Sequence, residues 1–193
     1  MIARTIETAN LRLRPLRKSD KALFCGLYTD PGTMRFIAPP MTCEEARLCF
    51  EATLEATQLD AGPRFFVIVD KQGSGVIGLC STQTVQPRAR RVEAGMMLKA
   101  AACGRGIGSE VLAALIDTAF EALPIDTVWV QYRPANSAAK RLVAGLGFSL
   151  PNGVRPRAAR RGHYIGFMQR SAWCVKPHPT LRGTTNVEHS RFS

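Results

Sequence analysis

Residues 103–123 read CGRGIGSEVLAALIDTAFEAL, so three glycines within five residues precede the clearest amphipathic helix pattern in the chain. The first N–H groups of a helix have no acceptor within the helix, and the helix dipole favours an anion there. Glycine lets those N–H groups approach the anion without a Cβ in the way. We therefore predict a phosphate-binding turn. The alternative is a helix start where glycine only permits close packing.

Two common kinds of phosphate loop do not match this stretch. A P-loop has Lys followed by Ser or Thr after its last glycine, whereas Gly108 is followed by Ser109 and Glu110. A dinucleotide-binding fold has Gly-x-Gly-x-x-Gly near the start of a βαβ unit, which Gly104 to Gly108 do not supply. Nucleotide hydrolysis is therefore disfavoured.

The rest of the chain alternates strand and helix patterns. A helix is predicted from Lys18, a second from Thr42 with Glu45 completing a capping box, and a third from Asn136 as N-cap to Gly147. We expect one domain over residues 1–175 and a mobile polar tail over 176–193. The segments with strand character are NLRLRPL, RFFVIVD, GVIGLCSTQTV, RVEAGMML, DTVWVQY and GHYIGFMQRSAW.

Composition indicates which kinds of site and which cellular compartment to expect. Six scattered cysteines without a C-x-x-C pair, and three histidines, disfavour both a metal site and a disulfide framework. The chain begins without the apolar block of a signal peptide, and no apolar run has the roughly 18 residues of a membrane helix. We expect a cytoplasmic protein with reduced thiols and no metal. The net charge of +11 indicates an acidic partner, or only a basic surface.

Four segments in order resemble the GCN5-related N-acetyltransferase (GNAT) family, and in particular its RimJ/RimL-like branch of ribosomal-protein alanine acetyltransferases. They are IETANLRLRPLRKSD, YTDPGTMRFIAPPMTCEEA, VEAGMML followed by CGRGIGSEVL, and NSAAKRLVAGLGF. The resemblance covers about residues 6 to 175. It implies an α+β fold, with a mixed, mostly antiparallel, twisted sheet and helices on both faces. The fourth and fifth strands, about Glu93–Leu98 and Thr127–Gln131, are expected to run parallel and splay apart.

The resemblance also implies acetyl-CoA as acetyl donor, entering the gap between those two strands. Its pyrophosphate is expected on Cys103, Gly104, Arg105, Gly106, Ile107, Gly108 and Ser109, and its thioester near Leu98 and Asn136. Met97 and Lys140 are expected among the other cofactor-binding residues. The family's loop begins with Gln or Arg, where this chain has Cys103. Arg105 is expected either to contact the phosphates or to be a solvated loop arginine.

For catalysis, the resemblance suggests Glu93 as the base that accepts the amine proton; the alternative is an ion pair with Arg90 or Arg91. A backbone N–H at Met97 or Leu98 is expected to stabilise the oxyanion. Asn136 is expected to contact the pantetheine arm or a water, or only to cap its helix.

Two features depart from the branch. Ala139 stands where a serine usually protonates the departing thiolate; water, Tyr132 or Ser137 are the replacements considered. An acid that often follows Gly-Phe is missing from SLPNGVRPRAARRG. That segment instead carries Arg155, Arg157, Arg160 and Arg161. They are expected to attract an acidic acceptor or an RNA-rich ribosomal surface, to contact the cofactor's phosphates, or only to form a solvated loop.

The sequence thus predicts an acetyl-CoA-dependent N-acetyltransferase acting on a primary amine by direct transfer in a ternary complex, with a protein N-terminus, such as that of a ribosomal protein, as the favoured acceptor. Two alternatives stay open: a small-molecule amine acceptor, or a non-catalytic basic module that binds ribosome or RNA. Direct nucleic-acid binding is disfavoured, no membrane contact is expected, and a homodimer is considered because the family often forms one.

Overall fold

The computed structural model describes residues 4–58, 63–73, 75–86, 90–149 and 159–174. Short 3₁₀ turns precede α1, at Lys18–Asp20, and α4, at Ala100–Ala102. The strands are β1 (Ile6–Glu7), β2 (Leu11–Pro15), β3 (Arg64–Asp70), β4 (Gly75–Gln86), β5 (Arg91–Leu98), β6 (Thr127–Tyr132) and β7 (Tyr164–Gln169). The helices are α1 (Lys21–Thr29), α2 (Pro31–Met34), α3 (Cys43–Gln58), α4 (Ile107–Ala122), α5 (Ser137–Gly145) and α6 (Arg170–Trp173).

All seven strands form one sheet in chain order, and every neighbouring pair is antiparallel except β5 and β6. The exception follows from the chain path, because α4 carries the chain from the end of β5 back to the start of β6, as a parallel crossover does. The expected mixed, mostly antiparallel sheet is therefore observed. The expected fourth and fifth strands are β5 and β6 here, because Ile6–Glu7 adds a short first strand that the sequence patterns did not separate.

Helices cover both faces of the sheet, as expected. On one face, Phe24 of α1 and Phe50 of α3 pack on Val67 and Leu79. On the other, α4 contributes a continuous run of buried side chains, among them Leu112 and Ile116, to a core that includes Ile68 of β3. Successive residues of β3 therefore enter opposite cores, as the two-residue period of a strand requires.

Most local predictions are confirmed. Thr42 and Glu45 form the capping box, with Glu45 N donating to Thr42 Oγ1 at 3.2 Å and Thr42 N to Glu45 Oε2 at 2.8 Å. Gly147 has φ +77° just after α5 ends. The last predicted strand is wrong in its second half, because residues 170–173 turn into α6. Arg170 directs its guanidinium to the carbonyls of Phe120, Leu123 and Ile125 instead of extending the sheet.

Three further observations bear on the expectations. None of the helices in the described ranges is long and apolar enough to cross a membrane. The described residues contain no cluster of three or more His, Cys, Asp or Glu side chains suited to a metal ion. The predicted tail, residues 176–193, lies outside the described residues.

Candidate active site

Strands β5 and β6 separate soon after they meet. Their parallel register pairs Arg91 with Thr127, Val92 with Val128 and Glu93 with Trp129, and no later residue of β5 pairs with β6 in the described structure. Residues 94–98 of β5 remain paired with β4 alone. Strand β5 therefore turns one backbone edge to open space over its last five residues, which is the expected splay.

A cleft of about 200 Å³ lies at this separation. Its lining residues are Tyr28, Phe36, Ile37, Phe65, Leu79, Cys80, Ser81, Glu93, Ala94, Gly95, Met96, Met97, Gln131, Arg160 and His163. They come from α1, the chain after α2, strands β3 to β6, and the segment before β7. One wall is aromatic and apolar, and the acid, the amide and the two basic side chains are gathered among strands β5 to β7.

Within the part of the chain that the structure describes, Glu93 is the only carboxylate that lines this cleft. Its neighbour Ala94 is buried in the core on the opposite face, as strand alternation predicts. Burial raises the pKa of Glu93, and a hydrogen bond from Gln131 and the charge of Arg160 oppose that rise. Gln131 Nε2 donates to Glu93 Oε1 at 2.8 Å. A carboxylate with a raised pKa is a stronger base than an ordinary surface glutamate.

The alternative interpretation, an ion pair of Glu93 with Arg90 or Arg91, is wrong. Arg90 is bound to Asp126, with Nε 2.6 Å from Oδ2, and the guanidinium of Arg91 lies 5.7 Å from the centre of the Phe167 ring. Glu93 therefore keeps its carboxylate in the cleft.

Arg160 closes the cleft on the side of β7. Its backbone N donates to Gln131 Oε1 at 2.8 Å, and its Nη1 donates to the carbonyl of Ile37 at 2.9 Å. This arginine therefore lines the cleft, although its side chain is exposed to solvent. Arg155 and Arg157 of the same basic segment lie outside the described residues.

The glycine-rich turn has the geometry that its sequence predicts. Gly104 has φ +82° and Gly106, the residue before α4, has φ +76°, a region that residues with a Cβ avoid. Among the described residues, the N–H groups of Gly104 through Gly108 meet no hydrogen-bond acceptor. Five backbone donors in succession, beside the positive end of α4, can bind a phosphate group.

The turn lies directly beside the cleft. Met96, which lines the cleft, places Sδ 3.7 Å from the position that a Cβ on Gly108 would take. Leu142 of α5 approaches the same position at 3.5 Å. The start of α4 is thus packed between β5 and α5. A ligand whose phosphate lies on the turn can extend along β5 into the cleft.

Hydrogen bonds to Glu110 and an ion pair of Arg105 connect this turn to the chain between β1 and β2 and to the end of β3. Glu110 of α4 accepts hydrogen bonds from Thr8 Oγ1, Asn10 N and Asn10 Nδ2. Desolvation raises the pKa of Glu110, but the hydrogen bonds from Thr8 and Asn10 outweigh it, so the pKa is lowered. Arg105 Nη2 lies 3.4 Å from Oδ2 of the buried Asp70 at the end of β3. Arg105 therefore forms an ion pair with β3 and is not an unpaired loop arginine.

The remaining predicted residues surround the turn. Cys103 is exposed and directs its thiol to the carbonyl of Lys99 at 3.7 Å. Ile107 is buried as the first residue of α4, whereas Ser109 is exposed. Leu98 ends β5 and packs against the core on the α4 side.

On α5, Asn136 is the N-cap, accepting a hydrogen bond from Ala139 N at 3.0 Å on Oδ1. The capping interpretation is thus confirmed. Lys140 is exposed on the following turn. Ala139 packs against the core, and Tyr132, a candidate replacement for the missing serine, is buried with a pKa raised by desolvation. Ser137, the other candidate, is exposed.

Sequence reasoning missed three cleft residues. Gln131 is the one polar side chain between apolar residues of β6, a signal that was present but unused. Tyr28 of α1 stacks on Phe24, with 4.4 Å between the ring centres, and burial raises its pKa to about 12. Cys80 gave no sequence signal, because only the pairing of β4 with β5 brings it opposite Met96.

Two parallel strands that separate beside a glycine-rich turn match the arrangement that the resemblance to acyl-transferring enzymes implies. The family profile described as acetyltransferase (GNAT) domain matches residues 10–149 of the chain. The protein therefore belongs to the GNAT family and is an acetyltransferase. The free N–H groups of the turn suit the pyrophosphate of acetyl-CoA, which is the co-substrate of this family.

Individual relatives agree with this assignment. The uncharacterized N-acetyltransferase p20 of Bacillus licheniformis is 26% identical over 163 residues, covering 83% of this chain and 91% of its own. RimL, a ribosomal L7/L12 α-N-protein acetyltransferase solved in complex with coenzyme A, has a TM-score of 0.72 and 17% identity, with 88% of this chain and 99% of its own covered. A spermidine N-acetyltransferase from Vibrio cholerae, solved with CoA and spermine, has a TM-score of 0.70 and 19% identity, covering 86% and 98%.

Proposed function

We propose that the enzyme acetylates the N-terminal α-amine of a protein or peptide, by direct transfer from acetyl-CoA in a ternary complex. The observation that carries this proposal is Glu93, a carboxylate with a raised pKa in the cleft where β5 leaves β6. Acetyl-CoA, when bound, supplies the activated acetyl group. The chain's own residues deprotonate the amine and stabilise the developing charge.

The acceptor must lose a proton before it can react. At pH 7 this costs about 1.4 kcal/mol for an α-amine with pKa near 8 and about 4.6 kcal/mol for a lysine with pKa near 10.4. A single base such as Glu93, with no second carboxylate among the described residues that line the cleft, suits the smaller cost of deprotonating an α-amine. We therefore favour the α-amine, with Glu93 accepting its proton directly or through water.

The oxyanion requires a donor that does not move during the reaction. Beyond Glu93, alternate N–H groups of β5 point to the side where β6 no longer pairs, and we propose that Met97 or Leu98 supplies the one that stabilises the oxyanion. Asn136 has its carbonyl oxygen occupied by the cap, which leaves its amide N–H₂ to contact the pantetheine arm. Lys140, one turn further on, is proposed to face the cofactor's phosphates.

No thiol of the site suits a covalent acetyl-enzyme. Burial raises the pKa of Cys80 far above its ordinary value, so this cleft thiol stays protonated and is a poor nucleophile. Cys103 does not line the cleft. With Ala139 in place of serine, we assign protonation of the departing thiolate to water, with Tyr132 or Ser137 as side-chain candidates. The six free cysteines favour the reducing cytoplasm as the site of action.

The second candidate function is acetylation of a small-molecule amine. It is favoured by the spermidine N-acetyltransferase of Vibrio cholerae, whose fold is as similar to this chain as that of RimL. The test is thiol release from acetyl-CoA with three acceptors: a peptide with a free α-amine, the same peptide blocked at its N-terminus but carrying lysine, and spermidine. We expect the free α-amine to give the highest kcat/KM. Preference for spermidine would overturn the α-amine assignment.

A further inference from the structure

The distribution of charge along the chain is strongly uneven. Residues 127–187 contain ten Lys and Arg residues and not one Asp or Glu, so about a third of the sequence carries nearly all of the net charge of +11. The residues before Thr127 are close to neutral. A charge asymmetry of this kind is a physical argument about binding partners and not about the fold.

The fold brings part of this acid-free region to the mouth of the cleft. Tyr132, the last residue of β6, pairs with Tyr164, the first residue of β7, so the residues just beyond each lie at the same end of the sheet. Arg133 follows Tyr132, and Arg160 and Arg161 precede Tyr164. We call Arg133, Arg160 and Arg161 the basic rim. It lies at the end of β6 at which β6 has separated from β5.

Arg160 connects the basic rim to Glu93, the proposed base. It lines the cleft, its charge acts on both Glu93 and Tyr28, and Gln131 links its backbone to the Glu93 carboxylate. An amine that reaches Glu93 therefore passes a guanidinium. Arginine suits a carboxylate at that position, because its fork of donors matches the two carboxylate oxygens.

We propose that the acceptor is the N-terminus of an acidic polypeptide, whose Asp or Glu side chains next to the terminal amine bind the basic rim. This inference rests on the proposed α-amine acetylation and adds the charge of the acceptor. The partly aromatic cleft lined by Tyr28 and Phe36 suits an extended peptide. Such a peptide carries the amine and the carboxylates on one chain. A polyamine would instead place a second cation against the rim, and like charges placed together oppose binding.

The test compares peptides that differ only in the charge of residues two and three: Ser-Glu-Glu, Ser-Gln-Gln and Ser-Lys-Lys, each followed by the same neutral tail. Thiol release at fixed acetyl-CoA gives kcat/KM for each. We expect the acidic peptide to exceed the neutral one about tenfold, about 1.4 kcal/mol, as two or three partly exposed ion pairs would supply. The preference should shrink at high salt, because salt screens exposed charges.

Two arginine variants test whether the basic rim causes the preference for the acidic peptide. Arg160→Gln and Arg161→Gln should each reduce the ratio of acidic to neutral kcat/KM measured within the same variant. Arg12→Gln, an exposed arginine paired with Glu7 on the first two strands, is the matched control and should leave the ratio unchanged. Thermal unfolding of each variant checks that it is folded.

The outcomes separate this inference from the proposed function. Equal kcat/KM for the three peptides would overturn the acidic acceptor while α-amine acetylation stands. Salt-sensitive RNA binding by the rim, without discrimination among peptides, would overturn it in favour of a nucleic-acid partner. Acetylation of spermidine and of none of the peptides would overturn the proposed function, and this inference with it.

Discussion

Gln131 donates a hydrogen bond from Nε2 to Glu93 Oε1 at 2.8 Å, across the point where β6 leaves β5. The same amide accepts from the backbone N of Arg160 on its oxygen, which fixes the orientation of the side chain. One glutamine therefore connects the acid of the cleft to the basic rim. Its donated bond stabilises the carboxylate form of Glu93 against a desolvation that favours the protonated form.

Replacing Gln131 should change the pH dependence of the reaction. Removal of the donated hydrogen bond in Gln131→Leu leaves desolvation less opposed, so the pKa of Glu93 rises further. Because the base acts as the carboxylate, the acidic limb of the kcat/KM profile should move to higher pH. Gln169→Leu is the matched control, since Gln169 bonds to Thr127 in the same pair of strands. Coinciding profiles for both variants and the unmodified enzyme would count against Glu93 as the base.

Ionisation of Glu93 should lower the stability of the folded protein. Its pKa in the folded protein is raised, so the unfolded chain gives up this proton at lower pH, and stability falls as pH rises through the folded pKa. Glu93→Gln should therefore raise the melting temperature at pH 8 and have little effect near pH 4. Differential scanning fluorimetry at both pH values measures this, and a melting temperature lowered at pH 8 would contradict it.

Acetyl-CoA binding by the turn before α4 should depend on Gly106. Gly106→Ala forces a Cβ into φ +76°, at a cost of about 1–2 kcal/mol, and displaces the N–H groups proposed to bind pyrophosphate. Gly73→Ala, in the turn between β3 and β4 at φ +107°, carries a comparable strain away from the cleft. Calorimetric titration should show acetyl-CoA affinity lost in the first variant and kept in the second. Equal affinities would mean that the turn does not bind the cofactor.

Glu110 should matter for cofactor binding without touching the cofactor. Glu110→Ala removes the carboxylate that accepts hydrogen bonds from Thr8 and Asn10, which should cost about 0.5–1.5 kcal/mol and loosen the start of α4. We expect a lower melting temperature and a higher KM for acetyl-CoA, with kcat changed little. Because its pKa is lowered, the stabilisation is present above the ordinary pKa of glutamate and lost as pH falls through the lowered value.

The matched control for this residue is Glu121→Ala, on an exposed turn of the same helix. It should leave both the melting temperature and the KM for acetyl-CoA near their original values. Equal behaviour of the two variants would show that the bonds to Thr8 and Asn10 do not position the turn.

Local patterns in the sequence predicted most elements, because helix periods, strand alternation and caps depend on near neighbours. The capping box of Thr42 and Glu45 and the N-cap Asn136 are confirmed examples. The change from β7 to α6 was missed because it depends on Arg170 meeting carbonyls about 45 to 50 residues away in the chain.

The cleft was harder to predict for the same reason. Glu93 was found from its place in a strand and from the family resemblance. Tyr28 and Gln131 were not found, and Arg160 was considered only as one of four arginines in its segment, since these three residues come together only when α1, β6 and the segment before β7 meet. The resemblance supplied the splay of β5 and β6, which no local pattern in either strand predicts.

The most direct test of the account measures kcat for acetylation of a free α-amine peptide by Glu93→Gln beside Glu55→Gln, an exposed glutamate of α3, with acetyl-CoA affinity measured for both. We predict that Glu93→Gln binds acetyl-CoA as the unmodified enzyme does and loses about 10²–10⁴-fold in kcat, the usual contribution of a positioned base. Glu55→Gln should retain full activity. Undiminished kcat in folded, acetyl-CoA-binding Glu93→Gln would contradict the account.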